Sequence, residues 1–459
     1  MRREGQSLIE LIVATAVFVT SVTAVVLVLV DATVSSRHTS ERVKALALAR
    51  EGLEAARAMR DQHFDNLIPG TYGLRVWNGR WILRGASDVQ DQFVRSVAIV
   101  RPDRDTAELA TTILWQLTPG RASEVTLASR LTRWNGRAAG NWASPIQEAS
   151  INVSGSQNGL RVAVQGNYAY VVRDGGSPDF LIIDIANPAS PQIVSSLNLS
   201  GNPRDVEIAG NYVYVASTDD NELQIIDVSA PSVPFLAASY NAPGGADANA
   251  VEVFGTSAYV VRTSSANDEL IILDITTPSS PVFAGSLNLG TTAKDIIVMN
   301  GYAYVATADD SRELIVIDVL NPSLPLIAGW FNSPGGANGE TIAGFGSIVF
   351  LTTFGTGNLH VVDVSNPAAP FVVGFYDTSD TIRDIALGNN NQYIFLATDV
   401  NSAELQIVDI SSPASPVPVG SFNVAGSNDL NGVAYHVGND RIVAVGDSDT
   451  EEFIVIRPQ

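Results

Sequence analysis

Three recurring sets of polar residues are the places where this 459-residue chain could do chemistry. The first set is acidic. Asp219, Asp220 and Glu222; Asn267, Asp268 and Glu269; Asp309, Asp310 and Glu313; Asp399, Asn401 and Glu404; and Asp447, Asp449 and Glu451 each gather in a short polar stretch. Clustered carboxylate oxygens suit Ca2+, which makes Asp219, Asp220, Asp309 and Asp310 candidate ligands. No stretch matches the D-x-[DN]-x-[DN]-G-x5-E loop, however, and Asp and Asn are also what tight turns use. The second set is a basic–acidic pair, Arg204-Asp205, Lys294-Asp295 and Arg383-Asp384, with Asn249, Glu340 and Asn431 at nearby positions of other repeats. Mixed charges that converge around an opening make a candidate ligand mouth. The third set is Asp184, Asp227, Asp274, Asp318, Asp363 and Asp409, each closing an apolar run just before a proline-containing turn. A catalytic residue is needed once, so six copies point to a hydrogen bond that holds the turn.

Catalytic constellations are not evident. His38 and His63 lie in or just after a helical stretch, and His360 and His436 stand in apolar strands without a partner at metal-ligand spacing. There is no G-x-S-x-G, P-loop or H-E-x-x-H. The expectation is a binding protein without catalytic residues or a required cofactor.

The elements that position these residues repeat as well. The six aspartates are 43 to 47 residues apart. One unit, residues 205–241, reads as a short alternating strand, a Gly-Asn turn, a second strand (NYVYVAS), an acidic turn, an almost wholly apolar third strand (LQIIDV), a Pro-rich turn and a fourth strand. Four strands per unit of about 45 residues predict a β-propeller. Seven second strands, starting near Tyr168, Tyr212, Ala258, Tyr302, Ile348, Tyr393 and Arg441, predict seven blades. Only six fourth strands follow residue 190; a seventh copy, ASINVSGS at 149–156, precedes the first full unit. That strand is expected to complete the last blade and close the ring without an open edge. The phrases LIIDI, LIVIDV, LHVVDV and LQIVDI resemble the LVIVD repeat family, which implies a propeller of the kind found on bacterial and archaeal surface proteins. The last copy departs from the pattern, with Arg457 where Asp is expected.

The N-terminal segment predicts a location. MRREG is followed by an apolar run of about 25 residues ending at Val30, long enough to span a bilayer. Arg2 and Arg3 place the leading end in the cytoplasm. Glu10 stands alone in the run, where an unpaired carboxylate costs several kcal/mol. The small residue Gly5 precedes the run rather than following it, unlike an ordinary secretory signal. Gly5-Gln6-Ser7-Leu8-Ile9-Glu10 resembles the class III signal of type IV pilins and pseudopilins, with Gln6 in place of the usual Phe. The resemblance implies cleavage after Gly5 by a prepilin peptidase and methylation of the new amine of Gln6. It also implies that Glu10 pairs with a neighbouring subunit's terminus during assembly.

Beyond Val30 the pattern stays helical, with Val43, Leu46, Leu53, Ala56 and Met59 spaced by three to seven and Gly52 as a bend point. Residues 65–142 read as β-rich, opening on a hairpin at Asn78-Gly79 that suits a type I′ turn. A long helix followed by an antiparallel sheet resembles the pilin plan. The expected fold is therefore multidomain: leader 1–5, transmembrane and spine helix 6–62, small antiparallel β head 63–134, Gly/Ala/Asn-rich linker 135–145, and an all-β seven-bladed propeller over 146–459.

Composition narrows the partners. There is no cysteine, so disulfides and thiolate metal sites are excluded. Residues 1–144 hold 18 Lys/Arg against 14 Asp/Glu, whereas residues 145–459 hold 9 against 34. A domain this acidic repels phosphate backbones, which argues against nucleic acid as a partner. The expected partners are other pilin subunits, the peptidase, the inner membrane before assembly, and an extracellular protein or glycan. The expected role is a minor pilin or pseudopilin-like subunit that displays a propeller at the cell surface. A signal-anchored propeller that does not polymerise and a surface hydrolase using the mouth are the alternatives.

Overall fold

A computed structural model describes residues 4–459 except 104, 119–120, 134–139, 154–156, 219–220, 266, 356, 389–390, 425–428 and 448–450. Side chains are described for these apart from 4–11, 31, 33–35, 37, 103 and 117–118. The chain forms two units: Met1–Gln62 with Pro69–Arg75 and Leu83–Thr132, and His63–Ile68 with Val76–Ile82 and Arg133–Gln459.

In the first unit the apolar run and its amphipathic continuation form one unbroken helix, Glu4–Gln62. Its stretch Ile12–Val30 is long and apolar enough to cross a membrane, and none of it is buried within the protein. Further along, Ala45, Ala49, Leu53, Ala56 and Met59 are buried. This three-to-four spacing puts them on one helix face. Ala45 and Ala49 pack with Phe93, Ile113 and Trp115 of a six-stranded sheet. Gly52 lies inside this helix, facing the sheet. A methyl group there would lie 2.5 Å from Thr111 Cγ2, so the glycine allows close approach of helix to sheet. Arg95, 1 % exposed, is held between Asp88 (2.9 Å) and Glu51 (3.0 Å). The Asn78-Gly79 turn, which belongs to the second unit, has φ of 47° and 73°, as a type I′ hairpin requires.

The second unit is an all-β repeat domain of propeller type, built from four-stranded antiparallel sheets. The second repeat is representative: Pro203–Ala209, Tyr212–Ser217, Leu223–Asp227 and Phe235–Tyr240 pair in that order from the innermost strand outward. The third strands are buried on both faces, which explains their unbroken apolar runs. Neighbouring sheets share clusters of apolar side chains. Phe180 and Ile182 of one sheet, for example, pack with Val206, Val213 and Ile226 of the next. Burying a side chain of this size stabilises by about 1.5–3 kcal/mol. The innermost strands touch one another in sequence, and Leu430–His436 touches Gly159–Gln165, so the circle is complete.

Closure uses a strand from the other end of the domain. Ile146–Ile151 pairs with Phe453–Arg457, with Phe453 opposite Ile151 and Arg457 opposite Ile146. The pairing starts three residues earlier than the sequence pattern suggests. Within the expected linker, 135–139 lie outside the described residues, but Trp142 belongs to the domain. It is fully buried against Phe395, and its Nε1 donates to Asp440 Oδ1 (3.2 Å).

The repeat motif is now explained residue by residue. Oδ1 of Asp184, Asp227, Asp274, Asp318, Asp363 and Asp409 accepts the backbone N–H two residues on, at 2.8–3.0 Å. Each thus forms an Asx-turn that launches the proline segment. That segment docks on the outer strand of the preceding sheet, beside a β-bulge. The residue next to the bulge is always small: Ser195, Ala238, Gly285, Gly329, Gly374, Gly420 and Ala149. A methyl group on Gly374 would lie 2.1 Å from the Pro413 carbonyl oxygen. Gly374→Ala is therefore expected to cost about 1–3 kcal/mol through overpacking. Gly245→Ala, with nothing within 4 Å of the new methyl, should be neutral. Thermal melts of the two full-length variants check this, and equal melting temperatures would refute the docking.

Candidate functional site

The acidic stretches are mostly scaffolding. Asp179 and the glutamates that precede the third strands point inward and accept backbone N–H groups about twenty residues later. Asp179 takes Leu199 (2.8 Å), Glu269 takes Leu289 (2.7 Å), Glu313 takes Ser333 (2.8 Å) and Glu404 takes Val424 (2.9 Å). Glu222 does the same for Ala242 and also pairs with Arg262 of the next sheet at 2.9 Å. Glu452 pairs with Arg173 at 2.8 Å. Of the Ca2+ candidates, Asp219 and Asp220 lie outside the described residues. Asp309 is occupied by Ser311 and Arg312, whose hydrogen bonds hold its carboxyl below the usual range. Asp310 is exposed, and among the described residues no group of three or more acidic or histidine side chains is placed to hold a metal ion. Gly5, Gln6 and Glu10 lie in the long helix, with side chains outside the described set.

The mouth residues do come together. Every innermost strand has a β-bulge near its start, for instance between Pro203 and Asp205, Ala293 and Asp295, and Ile382 and Asp384. A bulge re-aims side chains. Here it turns Arg204, Asp205, Lys294, Asp295, Arg383 and Asp384 into one cavity of about 580 Å³ at the centre of the ring.

Within that cavity the acids of the basic–acidic pairs have a structural duty. Oδ2 of Asp205 accepts from Val251 N (2.9 Å), that of Asp295 from Ile342 N (2.9 Å) and Thr341 Oγ1 (2.7 Å), and that of Asp384 from Val433 N (2.8 Å). Each fastens its own strand to the next. The cations are engaged too. Arg204 Nη1 donates to Asn249 Oδ1 (3.1 Å), Lys294 Nζ lies 3.3 Å from Glu340, and Arg383 pairs with Asp399.

Three residues of the cavity escaped the sequence reading. Arg161 stands where three other repeats have Asp205, Asp295 and Asp384. It donates to the carbonyls of Leu160, Asn431 and Arg383 at 2.6–3.1 Å and lies 4.0 Å from Asp384. Burial works against its charge, but Asp384, Asp205 and Asp295 overcome this and raise its pKa. Glu207 and Glu252 occupy the same position on adjacent innermost strands, two residues beyond the Asp205 position and on the same strand face. Both face the cavity, and that spacing of two was the available signal.

The electrostatics follow from crowding acids in a poorly solvated channel. Desolvation, then the Asp205 charge, pushes Glu207 up to about 8. Desolvation and the charges of Glu207 and Asp295 raise Glu252 well above its ordinary value. Asp295 is raised to about 6 by desolvation and Asp205; Asp384 reaches about 6 by desolvation, opposed by Arg161. His360, enclosed by Phe331 and Phe375, is shifted down by burial.

Comparison with known proteins agrees with this architecture. The LVIVD repeat model matches residues 158–198, 200–242, 245–288, 290–333, 353–378 and 383–424. The β-propeller domain of Cps50 (Swd1) from Myceliophteria thermophila superposes with a TM-score of 0.55 at 14% identity, covering 69% of this chain and 100% of that one. A functionally unknown protein from Desulfotomaculum acetoxidans gives 0.50 at 14% identity, covering 76% and 96%. No curated protein matches significantly. These likenesses establish fold alone.

The raised carboxyls predict a pH dependence. A group that binds its proton more tightly when folded contributes stability that is complete below its unfolded pKa. That contribution is lost as pH rises through the folded value, here up to about 8 for Glu207. His360 acts oppositely, losing stability as pH falls below its ordinary 6.5. Above pH 6.5 the carboxyls therefore dominate. The melting temperature should fall from pH 6.5 to 9, and Glu207→Gln, or more fully Glu207→Gln/Glu252→Gln, should flatten the fall. An unchanged slope in the double variant would contradict the assignment.

Proposed function

The chain belongs to the LVIVD repeat family, and from that premise we propose that it is a membrane-inserted, prepilin-like subunit carrying a seven-bladed propeller outward for recognition or adhesion. The observation that carries the reading is the first unit. An exposed apolar stretch long enough to cross a bilayer continues without a break into an amphipathic helix packed on an antiparallel sheet. The motif Gly5-Gln6-Ser7-Leu8-Ile9-Glu10 at the head of that helix supports processing after Gly5 and assembly through Glu10. As precursor the protein resides in the cytoplasmic membrane; after processing it joins a filament at the cell surface. The propeller acts as a binding platform, not an enzyme.

A compact domain of some 315 residues has a radius of gyration of about 20 Å, so it spans about 50 Å. Such a load on every closely packed subunit would crowd a filament, which favours a tip or sparse position. Mass spectrometry of native material is expected to show a chain beginning at a methylated Gln6. Retention of the five leading residues would overturn the filament reading. Glu10→Ala should abolish incorporation into filaments while leaving membrane insertion intact, whereas a plain signal anchor would be indifferent to it.

A further inference from the structure

The propeller's few cations are gathered in one place. Residues 145–459 hold nine Lys/Arg, and four of them, Arg161, Arg204, Lys294 and Arg383, line the central cavity. Arg204, Lys294 and Arg383 stand on alternate innermost strands, with side chains 45%, 33% and 43% exposed. Arg204 gives one hydrogen bond to Asn249, Lys294 faces Glu340, and Arg383 uses Nε and Nη2 on Asp399. A guanidinium carries five N–H donors and an ammonium three. Each of these side chains therefore keeps N–H groups that a ligand in the cavity can use.

The acids of the cavity offer no matching surplus of charge. Asp295 already accepts from Ile296 N (2.8 Å), Ile342 N (2.9 Å) and Thr341 Oγ1 (2.7 Å), and Asp384 from Ile385 N (2.9 Å) and Val433 N (2.8 Å). Glu207 and Glu252 keep their protons at neutral pH, since poor solvation disfavours the charged form. A cation thus finds few uncommitted carboxylates, and among the described residues no three acids are placed to share a metal ion. An anion must approach a domain with 34 acids against nine cations, whose field repels it. An apolar ligand would leave polar groups unpaired over most of the wall. An uncharged ligand bearing oxygen acceptors on all sides meets none of these penalties. Arg161 sets the shape of the space. Its guanidinium reaches the carbonyls of Asn431 (2.6 Å) and Arg383 (3.1 Å), and among the described residues the strand Leu430–His436 supplies none of the lining. The room that is left, about 580 Å³, falls in the range of small-molecule sites and suits a compact ring better than an extended chain.

We propose that the central cavity binds an uncharged saccharide, whose hydroxyl oxygens accept hydrogen bonds from Arg204, Lys294 and Arg383. The proposal rests on the reading of the propeller as a binding platform but not on filament assembly.

The test is titration calorimetry of the full-length protein in detergent, at near-physiological salt. The probes are glucose, galactose, mannose and N-acetylglucosamine, with glucuronate, galacturonate and glucosamine as charged counterparts. Saturable binding is expected for at least one uncharged sugar, and its charged counterpart should bind at least about tenfold more weakly. Arg204→Ala removes an exposed side chain whose partner is neutral, and Lys294→Ala/Glu340→Ala removes a whole ion pair, so neither leaves a charge stranded. Each should weaken sugar binding at least about tenfold, whereas Asp310→Asn, outside the cavity, should not. No saturable binding by any uncharged sugar would overturn the proposal. So would equal or tighter binding of the charged counterpart, or equal affinity in both cavity variants. Failure of this titration leaves processing at Gly5 untouched, and an unprocessed N-terminus leaves the cavity untouched.

Discussion

The ring depends on one strand pair, Ile146–Ile151 on Phe453–Arg457. Each four-stranded sheet has apolar side chains on both faces and cannot bury either without a neighbour. Were the last sheet one strand short, its third strand would present an unpaired edge and the whole circle would lose its seal. The pair joins residues some 300 positions apart, so its loop-closure cost falls late in folding. The protein reinforces the join accordingly. The closing strand has the same bulge as the other outer strands, which puts Ala149 where they carry glycine, alanine or serine. Trp142 fills a space on the neighbouring sheet, Tyr435 and Trp142 share Asp440, and Gln459 N bonds to Asn141 O.

Inside the closed ring, acids do work usually given to neutral groups. One class closes the proline turns, a second holds backbone N–H groups beside the third strands, and a third fastens neighbouring innermost strands at the mouth. A carboxylate accepts several hydrogen bonds at once and makes stronger ones than a neutral acceptor. This changes the meaning of the acidic balance of residues 145–459. Much of it is internal hydrogen bonding rather than a surface field, and Arg173 and Arg262 are buried to match two of the acids.

The fold was legible because its signals are local and repeated. Strand starts at Tyr168, Tyr212, Tyr302, Ile348, Tyr393 and Arg441 coincide with the sequence pattern, and only Ala258 is displaced, by one residue, to Ser257. The recurring aspartates identified themselves as turn residues by recurring. What was not legible lies across sheet boundaries. Glu222, Glu313 and Glu404 looked like solvated tips because nothing in their own repeat reveals that their partners are about twenty residues away. The packing role of Gly52 was not legible because the Thr111 methyl it makes room for sits on a strand far along the chain. Arg161, Glu207 and Glu252 break the repeat, and a search for recurrence passes over residues that do not recur.

That last omission shows where specificity can reside in such a ring. Positions that recur are committed to closing turns, docking prolines or fastening strands, and altering one perturbs every ligand alike. The inward face of the innermost strands, beyond the fastening aspartates, carries alanine in several repeats and glutamate in two. The side chain at this position differs from repeat to repeat while the strand pairing stays the same. An acid placed on that face is poorly solvated and holds its proton to higher pH, as Glu207 and Glu252 do, so the cavity's chemistry there depends on pH. The repeated framework thus supplies rigidity, and its irregular residues supply the chemistry.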